Sequence, residues 1–177
     1  NVQQTERSLD VAIQGEGFFQ VLRPDGQIAY TRDGGFQLNA QGQLVTSSGY
    51  PLEPMIEVPE QAQSITIGRD GTVTAEMPGQ AEPAQLGQIE LANFTNPAGL
   101  KPVGENLFVE TAASGAPMVG VPGQEALGEV MQGALESSNV NIAEELVNMI
   151  ETQRAFETNT KAISKTDQML QFMTQTV

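Results

Sequence analysis

Carboxylates flanked by glycine are the residues of this chain whose type and spacing come nearest to a reactive site. Asp25, Asp33 and Asp70 each precede a Gly, and Gly15-Glu16-Gly17 resembles part of a phosphate-binding loop. A calcium loop needs alternating carboxylates and a later Glu, and a phosphate loop needs a third Gly, a Lys-Ser or Lys-Thr ending and a following helix. Neither pattern is complete here. Since Asp-Gly is the usual composition of a tight turn, we expect turns at these positions.

Two residue types that dominate enzyme active sites are missing. The 177 residues include no His and no Cys, so the commonest general base, the thiol nucleophile, zinc-thiolate ligation and disulfides are all excluded. Two members of the acidic set could in principle act as a glycosidase pair, but nothing in the sequence pairs them. We therefore expect no catalytic residue, no cofactor and no metal site.

The charge is strongly acidic and lies mostly in the first four fifths of the chain. There are 22 acidic and 8 basic residues, giving a net charge of −14, and 17 of the acidic residues precede residue 141. Such a surface argues against nucleic acid and anionic membranes as partners. No apolar run approaches the roughly 18 residues of a membrane span, so we expect no membrane insertion.

The first residues show neither an initiator Met nor a signal peptide, and we expect an N-terminally truncated chain.

Residues 1–138 have the pattern of an antiparallel β domain of meander or sandwich type. Short apolar runs alternate with Asp-Gly and Gly-rich turns at intervals of about 8–10 residues. The predicted strands include Val11–Ile13, Phe18–Leu22 and Gln88–Ala92. The small, Gly-rich stretch Ala112–Gly123 predicts a surface loop.

Residues 139–177 predict one long C-terminal α-helix, which completes a mainly β fold class. No Gly or Pro occurs from Asn141 to Val177, and Asn141 with Glu144 has the spacing of a capping box. Apolar residues fall every seventh position along one helical seam, namely Ile142, Met149, Phe156, Ile163, Leu170 and Val177.

The second core position of this heptad pattern is mostly polar. Leu146 is followed at seven-residue intervals by Gln153, Thr160, Asp167 and Thr174. A two-stranded coiled coil prefers apolar residues at both positions, so this helix is a better member of a larger helical packing than an independent dimeriser. The alternative is a helix folded back on its own domain. The candidate assembly interface consists of Ile142, Leu146, Met149, Phe156, Ile163, Leu170 and Met173.

Long stretches of the sequence resemble a known family. Leu9–Val21 resembles the opening of the β domain in bacterial flagellar rod and hook proteins, and Ser138–Ile150 resembles the start of their C-terminal helix. Within the helix, further matching stretches are Gln153–Phe156 and Lys161–Leu170. In the β domain, Asn106–Thr111 and Ser114–Pro117 resemble the distal-rod members of the family. The resemblance covers essentially the whole chain.

The resemblance implies a non-enzymatic structural subunit of the flagellar rod. In that family an N-terminal helix pairs with the C-terminal helix, and such pairs line a tube with the β domains outside. Many copies would stack into a hollow shaft that carries torque from motor to hook. The N-terminal helix is not part of this sequence, which accounts for a seam that is only half apolar.

The resemblance also implies the partners and the location. The partners would be further copies of the chain, neighbouring rod and hook proteins, the surrounding basal-body rings, and the flagellar export apparatus during secretion. The location would be the periplasmic part of the basal body, reached without a cleaved signal peptide.

Three alternatives stay open on the sequence. The chain could be another rod or hook protein of the same family. It could instead be a β-rich module that binds cell-wall glycan through its β domain and oligomerises through its helix. An enzyme with a carboxylate-lined cleft is the third.

Overall fold

The computed structural model describes residues 2–79, 82–124, 127–137 and 142–175, with the side chains of the last helix described from 145 to 166. The chain divides into two compact units, residues 1–137 and 138–177. The first unit is built from antiparallel strands and the second from a single helix, so the predicted fold class is confirmed.

The elements of the first unit are short strands in several small sheets and one larger sheet. In chain order they are β1 (Val2–Gln4), β2 (Val11–Gln14), β3 (Phe18–Leu22), β4 (Ile28–Thr31), β5 (Gln37–Leu38), β6 (Leu44–Val45), β7 (Leu52–Glu53), β8 (Ser64–Ile67), β9 (Thr72–Glu76), β10 (Ala84–Gln88), β11 (Leu91–Asn93), β12 (Lys101–Gly104), β13 (Leu107–Val109), β14 (Met118–Gly120), β15 (Glu129–Gln132) and β16 (Ala134–Glu136). A 3-10 turn, Pro97–Gly99, precedes β12.

A seven-stranded sheet organises the unit. Its order is β12-β13-β4-β3-β11-β14, and β7 also pairs with β3. The hairpin β3–β4 is joined by the turn predicted at Pro24-Asp25-Gly26, whereas β11, β13 and β14 arrive from much later in the sequence. A three-stranded sheet, β10-β9-β8, and the pairs β2–β15, β1–β16 and β5–β6 complete the unit.

Both faces of the large sheet are buried at its centre. Successive residues of a strand point to opposite faces, and here one of each neighbouring pair joins the main core while the other joins a smaller aromatic cluster. The pairs, with the main-core member first, are Phe19 and Phe18, Ala29 and Tyr30, Leu91 and Ala92, and Leu107 and Phe108. The aromatic cluster is held by edge-to-face contacts, among them Tyr30 with Phe94 at 4.7 Å between ring centroids.

Two predictions made for the middle of the chain are wrong in detail. The alternating run Gln88–Ala92 is not one strand, because Ile89 and Glu90 lie between β10 and β11, which belong to different sheets. Ile89 is fully buried and its N–H donates to the carbonyl of Gly71 at 2.8 Å, so the chain changes sheets there. The predicted loop Ala112–Gly123 contains β14, which pairs with β11.

The second unit is the helix α1, Ile142–Gln175. The predicted cap at Asn141 and the last residue of the seven-residue apolar series, Val177, lie outside the described residues. A helix of 34 residues is about 51 Å long at about 1.5 Å per residue. Among the described residues, no helix combines the length with the apolar composition required of a membrane span.

The turn Asp33-Gly34-Gly35 lies directly against β2. The N–H of Val11 donates to the carbonyl of Gly34 at 3.0 Å, and Asp10 and Gly35 form an isolated bridge. A Cβ on Gly34 would overlap the carbonyl oxygen of Val11. Because Val11 is a fully buried core residue, β2 cannot retreat without opening the core.

We therefore expect Gly34→Ala to destabilise the β unit by about 3 kcal/mol or more, since the added carbon separates two backbones that now touch. Gly49→Ala is the matched control: Gly49 has φ of 89°, but no atom lies within 4 Å of the position that a Cβ would occupy. Its cost should be about 1 kcal/mol from backbone strain alone. Urea unfolding of both variants measures the difference, and equal midpoints would contradict it.

Candidate assembly surfaces

The Gly15-Glu16-Gly17 turn is a packing element. Gly15 and Gly17 have φ of 120° and 134°, and a Cβ on Gly15 would lie 2.8 Å from the Cα of Gly128. The carbonyls of both glycines accept hydrogen bonds from the Arg32 guanidinium at 2.9 Å. The carbonyl oxygens of this turn therefore face a cation. A phosphate would instead require backbone N–H groups that point toward it.

The Asp-Gly carboxylates stabilise turns, as predicted. Asp25, Asp33 and Asp70 each accept a hydrogen bond from the backbone N–H two residues along the chain, at 3.1, 3.0 and 3.2 Å. Asp70 also accepts from the Thr72 hydroxyl at 2.7 Å. These hydrogen bonds from the Thr72 side chain and backbone lower the pKa of Asp70, because they favour the charged carboxylate.

Two depressions on the described part of the β unit each contain a single carboxylate. One of about 300 Å³ contains Glu60 as its only carboxylate, and another of about 640 Å³ contains Glu110 beside Tyr30. Burial, and then the Glu110 charge, raises the pKa of Tyr30, so its hydroxyl stays protonated. Neither depression pairs two carboxylates. Across the described residues, no group of three or more acidic side chains is placed to hold a metal ion.

The arginines of the β unit are all engaged in ion pairs with acidic side chains. The pairs are Arg7 with Asp10, Arg23 with Asp25, Arg32 with Glu136 and Arg69 with Glu129. The other basic residue before residue 141 is Lys101. Because so little positive charge is free, the surface of this unit is dominated by carboxylates.

The helix presents large apolar side chains to solvent. Phe156 is 73% exposed, Ile163 64% and Met149 58%, and these three follow one another at seven-residue intervals. Leu146, which flanks them, is 53% exposed. A cluster of exposed aromatic and aliphatic side chains along one line is typical of a surface that another protein segment covers.

Four of the seven predicted interface residues therefore lie on the described, exposed part of the helix. These are Leu146, Met149, Phe156 and Ile163. The side chains of Ile142, Leu170 and Met173 lie outside the described residues, although all three belong to α1. Together we call the seven residues the helix seam, and its role in assembly stays a prediction.

Threonine side chains weaken the helix as a free-standing element. Thr152, Thr158, Thr160 and Thr166 each donate a hydroxyl hydrogen bond to the carbonyl four residues earlier, at 2.8–2.9 Å. Such bonds compete with the backbone ladder and slightly destabilise a helix. No described side chain from Glu145 to Thr166 is buried, so this segment gains no stability from burial of its apolar face.

Comparison with known proteins identifies the class. Residues 12–75 match the family described as the flagellar hook protein FlgE/F/G D1 domain, and residues 131–176 match the flagellar basal body rod FlgEFG protein C-terminal family. The first match falls within the β unit, and the second covers the end of β15, β16 and all of α1. The chain is thus an axial protein of the bacterial flagellum.

The similar proteins narrow the class further. The chain is 55% identical over 175 residues to the flagellar basal-body rod protein FlgG of Buchnera aphidicola, covering 99% of this chain and 67% of that protein. It is 52% identical to FlgG of Borreliella burgdorferi and 41% identical to FlgG of Bacillus subtilis, over 96% of this chain and 64% and 65% of theirs. The chain belongs to the FlgG family of flagellar basal-body rod proteins, which confirms the resemblance, and it spans about two thirds of the length of these relatives.

The sequence pattern did not reveal the polar residues that tie distant parts of the β unit together. Arg32 and Glu136 are 104 residues apart, and Gln132 reaches Ser8 and Ile65 across 124 and 67 residues. A Gln in a strand or an Arg after one carries no local signal, so no pattern among neighbouring residues could have revealed these contacts.

We expect α1 to be weakly protected in a dilute monomer of this chain, because none of its described side chains is buried. Amide hydrogen exchange measures this. Amides from Met149 to Thr166 should exchange at least tenfold faster than those of β3 and β4, which serve as the internal reference. Strong protection of the helix without self-association would show that it folds back on its own domain.

Proposed function

We propose that the chain is a structural subunit of the flagellar distal rod, which polymerises helically into a hollow shaft and transmits torque from the motor to the hook. The observation that supports this most directly is the line of exposed apolar side chains on α1. A subunit that must contact several neighbours needs apolar surface left uncovered in the monomer. Contacts between unlike surfaces that do not close into a ring generate a filament.

The helix seam is the proposed inner-tube contact. Met149, Phe156 and Ile163 share one side of the helix, because seven residues are close to two full turns. Burying three such side chains stabilises an interface by about 1.5–3 kcal/mol each. The polar companion positions limit what two copies of the helix alone could gain, so a packing of several helices fits this pattern better than a simple dimer.

The ends of the β unit support a paired-helix arrangement in the full-length protein. β1 and β16 are antiparallel neighbours, with Val2 opposite Glu136. A segment that precedes Val2 would therefore begin beside the strand that leads to α1. The matched relatives are longer than this chain, and we propose that an N-terminal helix packs on the helix seam in the complete subunit.

The proposed partners are those of a rod. They are other copies of the chain, neighbouring rod and hook proteins, and the surrounding basal-body rings, with the export apparatus as a transient partner during secretion. The proposed location is the periplasmic part of the rod, reached without a cleaved signal peptide. We propose no catalytic activity, which fits the single carboxylate in each of the two depressions described above and the ion pairs that the described arginines already form.

Phe156→Asp in the full-length protein should abolish rod assembly and motility while the β unit stays folded. A charge at a packed position costs several kcal/mol when unpaired, and a helical assembly repeats that cost in every subunit. Isolation of hook-basal bodies and soft-agar swimming measure the effect, and thermal unfolding of the β unit checks its integrity.

Glu157→Ala, one position further round the helix, is the matched control and should leave assembly nearly normal. Normal swimming of Phe156→Asp cells would remove the helix seam from the proposal. If the β unit of that variant instead sedimented with peptidoglycan, a wall-binding module would be the better description of the chain.

We further propose that the acidic surface of the β unit keeps the outside of the shaft hydrated and non-adhesive within its rings. Like-charged, solvated surfaces resist association, and ion pairs at exposed positions contribute little. Four exposed residues of this acidic surface are suited to a test of its charge: Glu57, Glu60, Glu76 and Glu82.

Changing these four residues to Gln should leave assembly intact and slow rotation, most clearly at low salt, where charge effects extend furthest. Rotation of tethered cells across a salt series is the measurement. Lys101→Gln, which makes the surface more acidic, is the control and should not slow rotation. Unchanged speed of the fourfold variant at every salt concentration would leave solubility as the only role of the charge.

A further inference from the structure

The two ends of the β unit meet in a short two-stranded ribbon, formed by β1 and β16, which we call the neck ribbon. Its register pairs Val2 with Glu136 and Gln4 with Ala134. The N–H of Thr5 extends it by donating to the carbonyl of Gly133 at 2.6 Å. Because Glu136 is the last residue of β16, force carried along the chain between the β unit and α1 passes through this ribbon.

The neck ribbon is weak by itself. Each strand has three residues, and all three residues of β1 are exposed. An isolated two-stranded ribbon is marginally stable in water at best. In β16 only Ala134 is fully buried, so little apolar surface anchors the outer end. A ribbon that must resist pulling therefore needs another attachment near Glu136.

Arg32 provides that attachment. Its Nε donates to Oε2 of Glu136 at 2.8 Å, while one terminal nitrogen donates to the carbonyls of Gly15 and Gly17, each at 2.9 Å. The guanidinium also lies 5.9 Å from the ring centre of Phe18. One planar group thus joins the outer end of the neck ribbon to the turn between β2 and β3.

The Arg32–Glu136 ion pair lies at a position where water screens the two charges only partly. The side chains of Arg32 and Glu136 are 29% and 32% exposed, so the pair is partly shielded from water. Arg32 directly follows β4, which pairs with β3 at the centre of the large sheet. The planar, many-donor guanidinium can serve the carboxylate and both carbonyls together, which a Lys ammonium does less well.

We propose that the Arg32–Glu136 ion pair is a clasp that fastens the neck ribbon to the sheet, so that torque entering through β16 is passed to β3 and β4 and does not peel the ribbon open. Arg32 is thus a positioning residue for torque transmission, and this inference rests on the function proposed above.

The test uses the full-length protein with Glu136→Gln, and Arg32→Lys as a second variant. Amide exchange at Val2–Gln4 and Ala134–Glu136 should rise at least fivefold in both, with β9 unchanged. Glu129→Gln is the matched control: it removes the exposed Arg69–Glu129 pair, at 3.7 Å, and should leave the neck amides unaltered. Unchanged neck exchange in Glu136→Gln, or an equal rise at every amide, would overturn the clasp.

A second readout separates torque transmission from folding. Cells carrying Glu136→Gln should assemble rods and swim normally in buffer, and lose speed at least twofold more than Glu129→Gln cells when the medium is made viscous. Equal losses would overturn the clasp. Failure of the rod proposal is distinct, because it would appear as normal assembly of Phe156→Asp, a residue outside the neck ribbon.

Discussion

Burial of apolar side chains on both faces of β3 is the constraint on which the rest of the β unit depends. Phe19 and Val21 face the main core, and Phe18 faces the aromatic cluster. Each fully buried side chain of this kind stabilises the fold by about 1.5–3 kcal/mol. To cover both faces, strands from distant parts of the chain must assemble around β3, which pairs with β4, β7 and β11. The centre of the sheet is thereby packed with side chains on both faces.

The polar groups are largely used to hold this arrangement together. Gln132 shows this most clearly: its amide donates to the carbonyls of Ser8 and Ile65 at 2.7 and 2.9 Å, and its oxygen accepts from the N–H of Ile67 at 3.1 Å. One side chain thus connects β15, β8 and the segment before β2. The donors and the acceptor of this side chain are thereby satisfied within the fold. This use of polar groups suits a structural subunit.

The helix differs from the β unit in the exposure of its apolar side chains. The β unit buries most of its large hydrophobic side chains, whereas α1 exposes Phe156, Ile163 and Met149 in a line. Most of the stability of a helix in a protein comes from packing of its apolar face, so such a segment is suited to being covered by another. The neck ribbon contains β16, the last strand before the helix in the sequence. The Arg32–Glu136 ion pair fastens this ribbon to the rest of the β unit.

The sequence by itself determined those features whose cause is local. The turn at Pro24-Asp25-Gly26, the strands near Val11–Ile13 and Phe18–Leu22, and the long helix follow from turn residues and from apolar spacing of two or seven. The seam residues could also be predicted, since helical periodicity alone places Phe156 and Ile163 on one side. The family could be inferred too, because its two long motifs lie in contiguous stretches.

Only the tertiary structure decided what depends on residues far apart in the chain. The strands β15 and β16 have little alternation of their own and exist because distant strands, β2 and β1, pair with them. In the sequence Gly34 is an ordinary turn residue. The structure places it against the backbone of Val11, where a Cβ would have no room. Arg32 contacts Glu136 across 104 residues of sequence. A contact over that distance depends on how the sheets fold together, and no local pattern around either residue indicates it.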